Sequence, residues 1–120
     1  MDKIVVWHNT RCRKSREGLA MVEKVAHEKS LKVEIRKYLD QPPSESELKE
    51  VLNMMNKKPI DLVRKKEQIW KDQFKGKELS DEEIIKAMVQ YPKLIERPIV
   101  LYKGKAVLAQ PAEEVLKLFN

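Results

Sequence analysis

Lys3-Ile4-Val5-Val6-Trp7-His8-Asn9-Thr10-Arg11-Cys12-Arg13-Lys14-Ser15-Arg16 runs from an apolar stretch, through a short polar one, into a group of cations around the chain's single cysteine. Ile4–Trp7 is continuous, apolar and rich in β-branched residues, which suits a strand buried on both faces. From Cys12 to about Lys29, the apolar residues Leu19, Val22, Val25 and Ala26 recur at helical spacing. Leu31, Val33 and Ile35 then alternate with Lys32, Glu34 and Arg36, the pattern of a second strand. Strand, helix and strand form a βαβ unit, whose two strands run parallel with a right-handed crossover.

Further along, Asp40-Gln41-Pro42-Pro43 stops the second strand. Ser44 with Glu47 reads as a capping box, opening a helix with Leu48, Val51, Leu52 and Met55 on one face. Pro59 ends or restarts that pattern, and Ile60–Phe74 predicts short helical pieces. Ser80 and Glu83 form a second capping box for a helix to about Tyr91, closed by Pro92. Ile99–Tyr102 and Ala106–Ala109 flank Lys103-Gly104-Lys105, which predicts an antiparallel hairpin with a three-residue link. Pro111 precedes a closing helix over Ala112–Phe119, with Val115, Leu116 and Phe119 facing inward. The order β-α-β, helical middle, β-β-α fits an α/β fold with a mixed four-stranded sheet covered by helices.

The chain has 120 residues, the length of one domain, so we expect a single domain over 1–120 with a helical insertion at about 44–92. Hydrophobic residues make up 42%, enough for a modest core and against a disordered chain. No apolar run approaches the roughly 20 residues that span a bilayer, and Met1–Trp7 is wrongly built for a signal peptide. The expectation is a soluble, cytoplasmic protein with no membrane partner. The net charge of +6 is spread among mixed signs, and aromatics are only 6%, so no nucleic-acid partner is expected. One cysteine excludes an internal disulfide and a cysteine-cage zinc site. His8 and Cys12 are too few ligands for a metal.

Cys12 is placed for reactivity. It stands where the first helix should begin, so unpaired N–H groups and the helix dipole favour its thiolate. Arg11, Arg13, Lys14 and Arg16 surround it with positive charge. Cys12-Arg13-Lys14-Ser15 has C-x-x-C spacing with serine at the second thiol, so a redox cycle needs an external thiol. Ser15 can donate its O–H to the sulfur or simply serve the first helical turn. A phosphatase-type C-x5-R loop is absent, because position 18 is Gly18.

His8-Asn9-Thr10-Arg11-Cys12-Arg13-Lys14-Ser15-Arg16 resembles the H-N-x-x-C-x-x-S-R pattern of the ArsC-like family, which contains glutathione/glutaredoxin-dependent arsenate reductases and related Spx-type regulators. Tyr91–Val100 is similar to the family's P-x-L-I-x-R-P-I-V segment, Gly104–Leu116 to its closing hairpin and helix, and Leu62-Val63-Arg64-Lys65, more weakly, to its L-[LV]-R-K segment. The resemblance implies a thioredoxin-like fold with a helical insertion between the halves of the sheet. It implies a thiol-dependent oxidoreductase in which Cys12 is the nucleophile, tuned by His8 and Ser15. Arg64 and Arg97 would hold the oxyanion, and Pro98 would be the cis-proline beside the cysteine. No bound cofactor is implied; glutathione would be the co-substrate, with glutaredoxin or another thiol protein as partner. One position departs from the pattern: Gln110 stands where the arsenate reductases carry a third arginine, and it can hydrogen-bond an oxyanion without opposing its charge. Thr10 replaces a proline often found before the motif's cysteine. The alternative is an Spx-like regulatory module docking on the transcription machinery, although Ser15 removes that branch's C-x-x-C switch. A third reading keeps the scaffold without catalysis.

Overall fold

The computed structural model describes residues 2–120. Four strands, β1 (Lys3–Trp7), β2 (Lys32–Arg36), β3 (Ile99–Tyr102) and β4 (Lys105–Leu108), form one sheet in the order β2-β1-β3-β4. β1 runs parallel to β2 and antiparallel to β3, and β3 is antiparallel to β4. The sheet is therefore mixed, as the β-α-β and β-β halves require. The helices are α1 (Arg13–Lys29), α2 (Glu45–Met55), α3 (Gln68–Gln73) and α4 (Asp81–Gln90), with 3-10 turns at Pro59–Leu62, Pro92–Leu94 and Ala112–Phe119.

By its contacts the chain divides into two compact units, one of residues 1–41 with 97–120 and the other of residues 42–96. In the first, Ile4 and Val6 of β1 and Val100 of β3 are fully buried against Val22 and Ala26 of α1 and against Val115 and Leu118. Each such side chain contributes on the order of 1.5–3 kcal/mol of transfer free energy. α1 starts at Arg13 because Cys12 takes the extended N-cap conformation, and it stops at Ser30, whose left-handed backbone returns its N–H to the carbonyls of Ala26 and His27.

Gly18 sits mid-helix, where glycine costs about 1 kcal/mol relative to alanine. Close packing explains it: a Cβ there would stand 2.5 Å from Cγ of the rigid Pro98 ring and 3.2 Å from Ala109 Cβ. The missing side chain lets α1 lie against the Arg97–Pro98 segment.

In the second unit, both serine capping boxes form, Ser44 with Glu47 and Ser80 with Glu83. α2 and α4 bury Leu48, Val51 and Leu52, and Ile84, Ile85 and Met88, respectively. Val63 and Ile95 form an antiparallel bridge, Trp70 stacks on Phe74, and Phe74 meets the Tyr91 ring edge-to-face. The short helical pieces expected over 60–74 are Pro59–Leu62 and α3.

Two local expectations are corrected. The hairpin link has two residues, not three: Lys105 pairs with Tyr102, leaving Lys103 and Gly104 at the turn with φ of 47° and 74°. Positive φ at both positions is what a type I′ turn needs, and it matches the twist of the strands. The closing segment is a 3-10 helix, and its inward residues are Val115 and Leu118, while Leu116 is 48% exposed. A period of three residues aligns positions 115 and 118, so the α-helical phase assigned to Leu116 fails. Phe119 is only partly buried, tilted against the Tyr102 ring at 4.7 Å between centroids.

Candidate active site

The loop from β1 to α1 is built by its own backbone. His8 N–H donates to the Arg36 carbonyl at 2.8 Å, carrying the β1–β2 ladder one residue beyond the strand. Asn9 then makes the turn: its Oδ1 accepts the Arg11 N–H at 3.0 Å, and its carbonyl accepts the Cys12 N–H at 3.1 Å. A side chain closing on the backbone two residues ahead is the local geometry that asparagine favours. Arg16 Nη1 braces the same loop through the Thr10 carbonyl at 3.0 Å. Asn9 is the residue whose importance the sequence reading missed; its signal was its place three residues before the N-cap cysteine.

Cys12 is half-buried at the N-cap of α1. Burial alone would raise its pKa. It is outweighed by the N–H of Ser15, by a hydrogen bond and the charge of the Arg97 guanidinium, and by the N–H of Lys14, so the thiol lies below its ordinary value. Two orphan N–H groups of the first helical turn and one guanidinium thus converge on the sulfur.

Ser15 is fully buried, and its Oγ accepts the Asn9 N–H at 3.0 Å and pairs with His8 Nδ1 at 2.7 Å. Its link to the sulfur runs through its backbone N–H, while its hydroxyl ties helix to loop. His8 is 6% exposed, and its pKa is lowered, first by burial and then by the charges of Lys37 and Arg16, with Glu23 opposing. The ring is neutral at physiological pH.

Arg97 is buried, and three contacts fix its backbone. Its carbonyl accepts from Gln110 Nε2, the next carbonyl, of Pro98, accepts the Ala109 N–H at 2.9 Å, and the Pro98 ring lies against Gly18. The Arg97–Pro98 bond is cis, and so is Gln110–Pro111. The Gln110 amide nitrogen therefore serves the main chain that carries Arg97. The structure brings His8, Cys12, Ser15, Arg97, Pro98 and Gln110 into the first unit. Arg64 belongs to the second, where its N–H donates to the Leu94 carbonyl at 2.7 Å and its Nε donates to Glu67 Oε2 at 2.8 Å. Among the described residues, no group of three or more His, Cys, Asp or Glu side chains is arranged to hold a metal ion.

A sequence profile of the ArsC family matches residues 7–118. The chain belongs to the ArsC family. An arsenate reductase of Neisseria meningitidis is 36% identical over 117 residues, covering 96% of this chain and 97% of that protein. One of Haemophilus influenzae is 32% identical over 117 residues, covering 96% and 97%. The solved structure of an arsenate reductase from Vibrio cholerae superposes with a TM-score of 0.87 at 36% identity, covering 98% of each chain. The ArsC sheet seen here is thus the thioredoxin-like one, and the relationship is to arsenate reductase-like oxidoreductases.

Proposed function

We propose that this ArsC-family protein is an arsenate reductase that uses Cys12 as nucleophile, glutathione as co-substrate and a glutaredoxin as resolving partner. The observation that carries the reading is the sulfur of Cys12, held below its ordinary pKa by two helix N–H groups and Arg97. A thiolate there attacks arsenic(V), forming an S–As bond as one oxygen leaves as water. The glutathione thiol displaces a second oxygen in the same way. The two sulfurs then join as a disulfide, and the electron pair released reduces arsenic(V) to arsenic(III). A glutaredoxin thiolate takes the glutathionyl group and returns Cys12 as a thiolate.

Arg97 supplies charge to the incoming oxyanion through a planar fork of donors. His8 and Ser15 position the loop and the first helical turn that aim the N–H groups. Gln110 acts on the oxyanion indirectly, by holding the Arg97 main chain. Arg64 keeps a motif-based assignment to oxyanion binding. We place the protein in the cytoplasm, where thiols are kept reduced; no helix among the described residues is long and apolar enough to cross a membrane.

Incubation with arsenate, glutathione and glutaredoxin should yield arsenite, with Cys12→Ser reduced to background. Equal turnover by that variant would refute the assignment.

A further inference from the structure

The end of the sheet remote from Cys12 carries a second cleft. β1 begins there at Lys3, beside Lys32 of β2, and the turn at Lys103 and Gly104 closes the same end, whereas Cys12 follows the opposite end of β1. α1 spans the distance between them: at 17 residues it is about 25 Å long, with Cys12 before its start and Lys29 at its end. The cleft, of about 700 Å³, lies within the first unit and is lined by the end of α1, the hairpin and the closing 3-10 segment. That is within the range of small-molecule sites, roughly 300–1,000 Å³.

Two kinds of group line it. Leu31, Leu118 and the rings of Tyr102 and Phe119 make an apolar floor, the rings tilted together at 4.7 Å between centroids. Lys29, Lys103 and Lys105 stand around that floor. Lys29 Nζ lies 5.3 Å from the Phe119 ring centroid and Lys103 Nζ 5.5 Å from that of Tyr102, so the negative ring faces hold both ammonium groups beside the floor. Their other partners are weak. Lys103 meets Asp2 at 3.1 Å with both side chains more than half exposed, and Lys105 Nζ reaches the Asn120 carbonyl only at 3.5 Å. Among the described residues, no acidic side chain lines the cleft.

We propose that this cleft binds an organic anion with an apolar aromatic body, of the aryl carboxylate or sulfonate class. The body lies against the leucines and rings, and the acidic group pairs with the ammonium groups. A bare inorganic anion would leave the floor unused. A nucleotide base would set its hydrogen-bonding edges against apolar side chains that cannot answer them. The site stands apart from Cys12 and does not depend on its chemistry.

Titration of the full chain with anilinonaphthalene sulfonate, whose fluorescence rises in apolar surroundings, tests the assignment. Binding should saturate at one dye per chain. Lys29→Gln and Lys105→Gln, both at exposed positions, should each raise the Kd about two- to fivefold, the scale of a partly exposed ion pair. Naphthoate should displace the dye; naphthylmethanol, the same body without the charge, and inorganic phosphate at matched ionic strength should do so several-fold less well. Saturating dye should leave the rate of Cys12 alkylation unchanged. Absence of saturable binding, a Kd unmoved in both variants, displacement by naphthylmethanol or phosphate as strong as by naphthoate, or slowed alkylation would each overturn the proposal while leaving the thiol chemistry of Cys12 intact.

Discussion

His8 and Cys12 both have lowered pKa values, with opposite consequences for charge: the imidazole is held neutral and the thiol is pushed towards its anion. For His8, burial and the charges of Lys37 and Arg16 work together. The unfolded chain therefore binds the proton more readily than the folded one, so stability contributed by neutral His8 is present above the ordinary histidine pKa of about 6.5 and is lost as pH falls below it. We predict that melting temperature falls more steeply between pH 7.5 and pH 5 in the wild type than in His8→Asn. Parallel curves would show that the buried ring adds nothing to acid lability. At this scale the sequence was legible where chemistry is local: a cysteine among arginines after a strand announced itself. The partners of Ser15 and Gln110 were not, because they lie 7 and 13 residues away and exist only once loop, helix and hairpin have come together.

Elements show the same division between local and distant causes. Capping boxes at Ser44 and Ser80 were readable because both halves of each lie within four residues. The closing segment was misread in phase, since its apolar residues fit an α-helical stripe in sequence but follow a three-residue period in the fold. Leu118→Ala should cost about 2–5 kcal/mol, as expected for a leucine truncated in a packed core, and Leu116→Ala less than about 0.5 kcal/mol. Chemical denaturation of the two variants measures both. Similar losses would mean that the segment packs as an α-helix after all. The hairpin was found with a link one residue too long, because Lys105 is compatible with either turn or strand until pairing with Tyr102 decides it.

Across the whole molecule, the parallel β1–β2 pair and the antiparallel β3–β4 pair followed from the βαβ unit and the hairpin, each a local pattern with few allowed topologies, while the β1–β3 pairing that joins them into the order β2-β1-β3-β4 was not legible. The helical insertion read at about 44–92, from the Pro42-Pro43 stop and the Ser44 cap, falls inside the second compact unit of residues 42–96, which no Gly/Ser linker bounds. What folding does for function in this account is to bring Arg97, 85 residues away in the chain, to a cysteine that local structure has already set at a helix end. The most direct test is the rate of Cys12 alkylation by iodoacetamide against pH, in the native protein and in the same protein unfolded by denaturant. The account predicts a native midpoint below that of the unfolded chain, which should titrate near the free-thiol value of about 8.5. It also predicts that Arg97→Met shifts the native midpoint upward. A native midpoint equal to or above the unfolded one would contradict it.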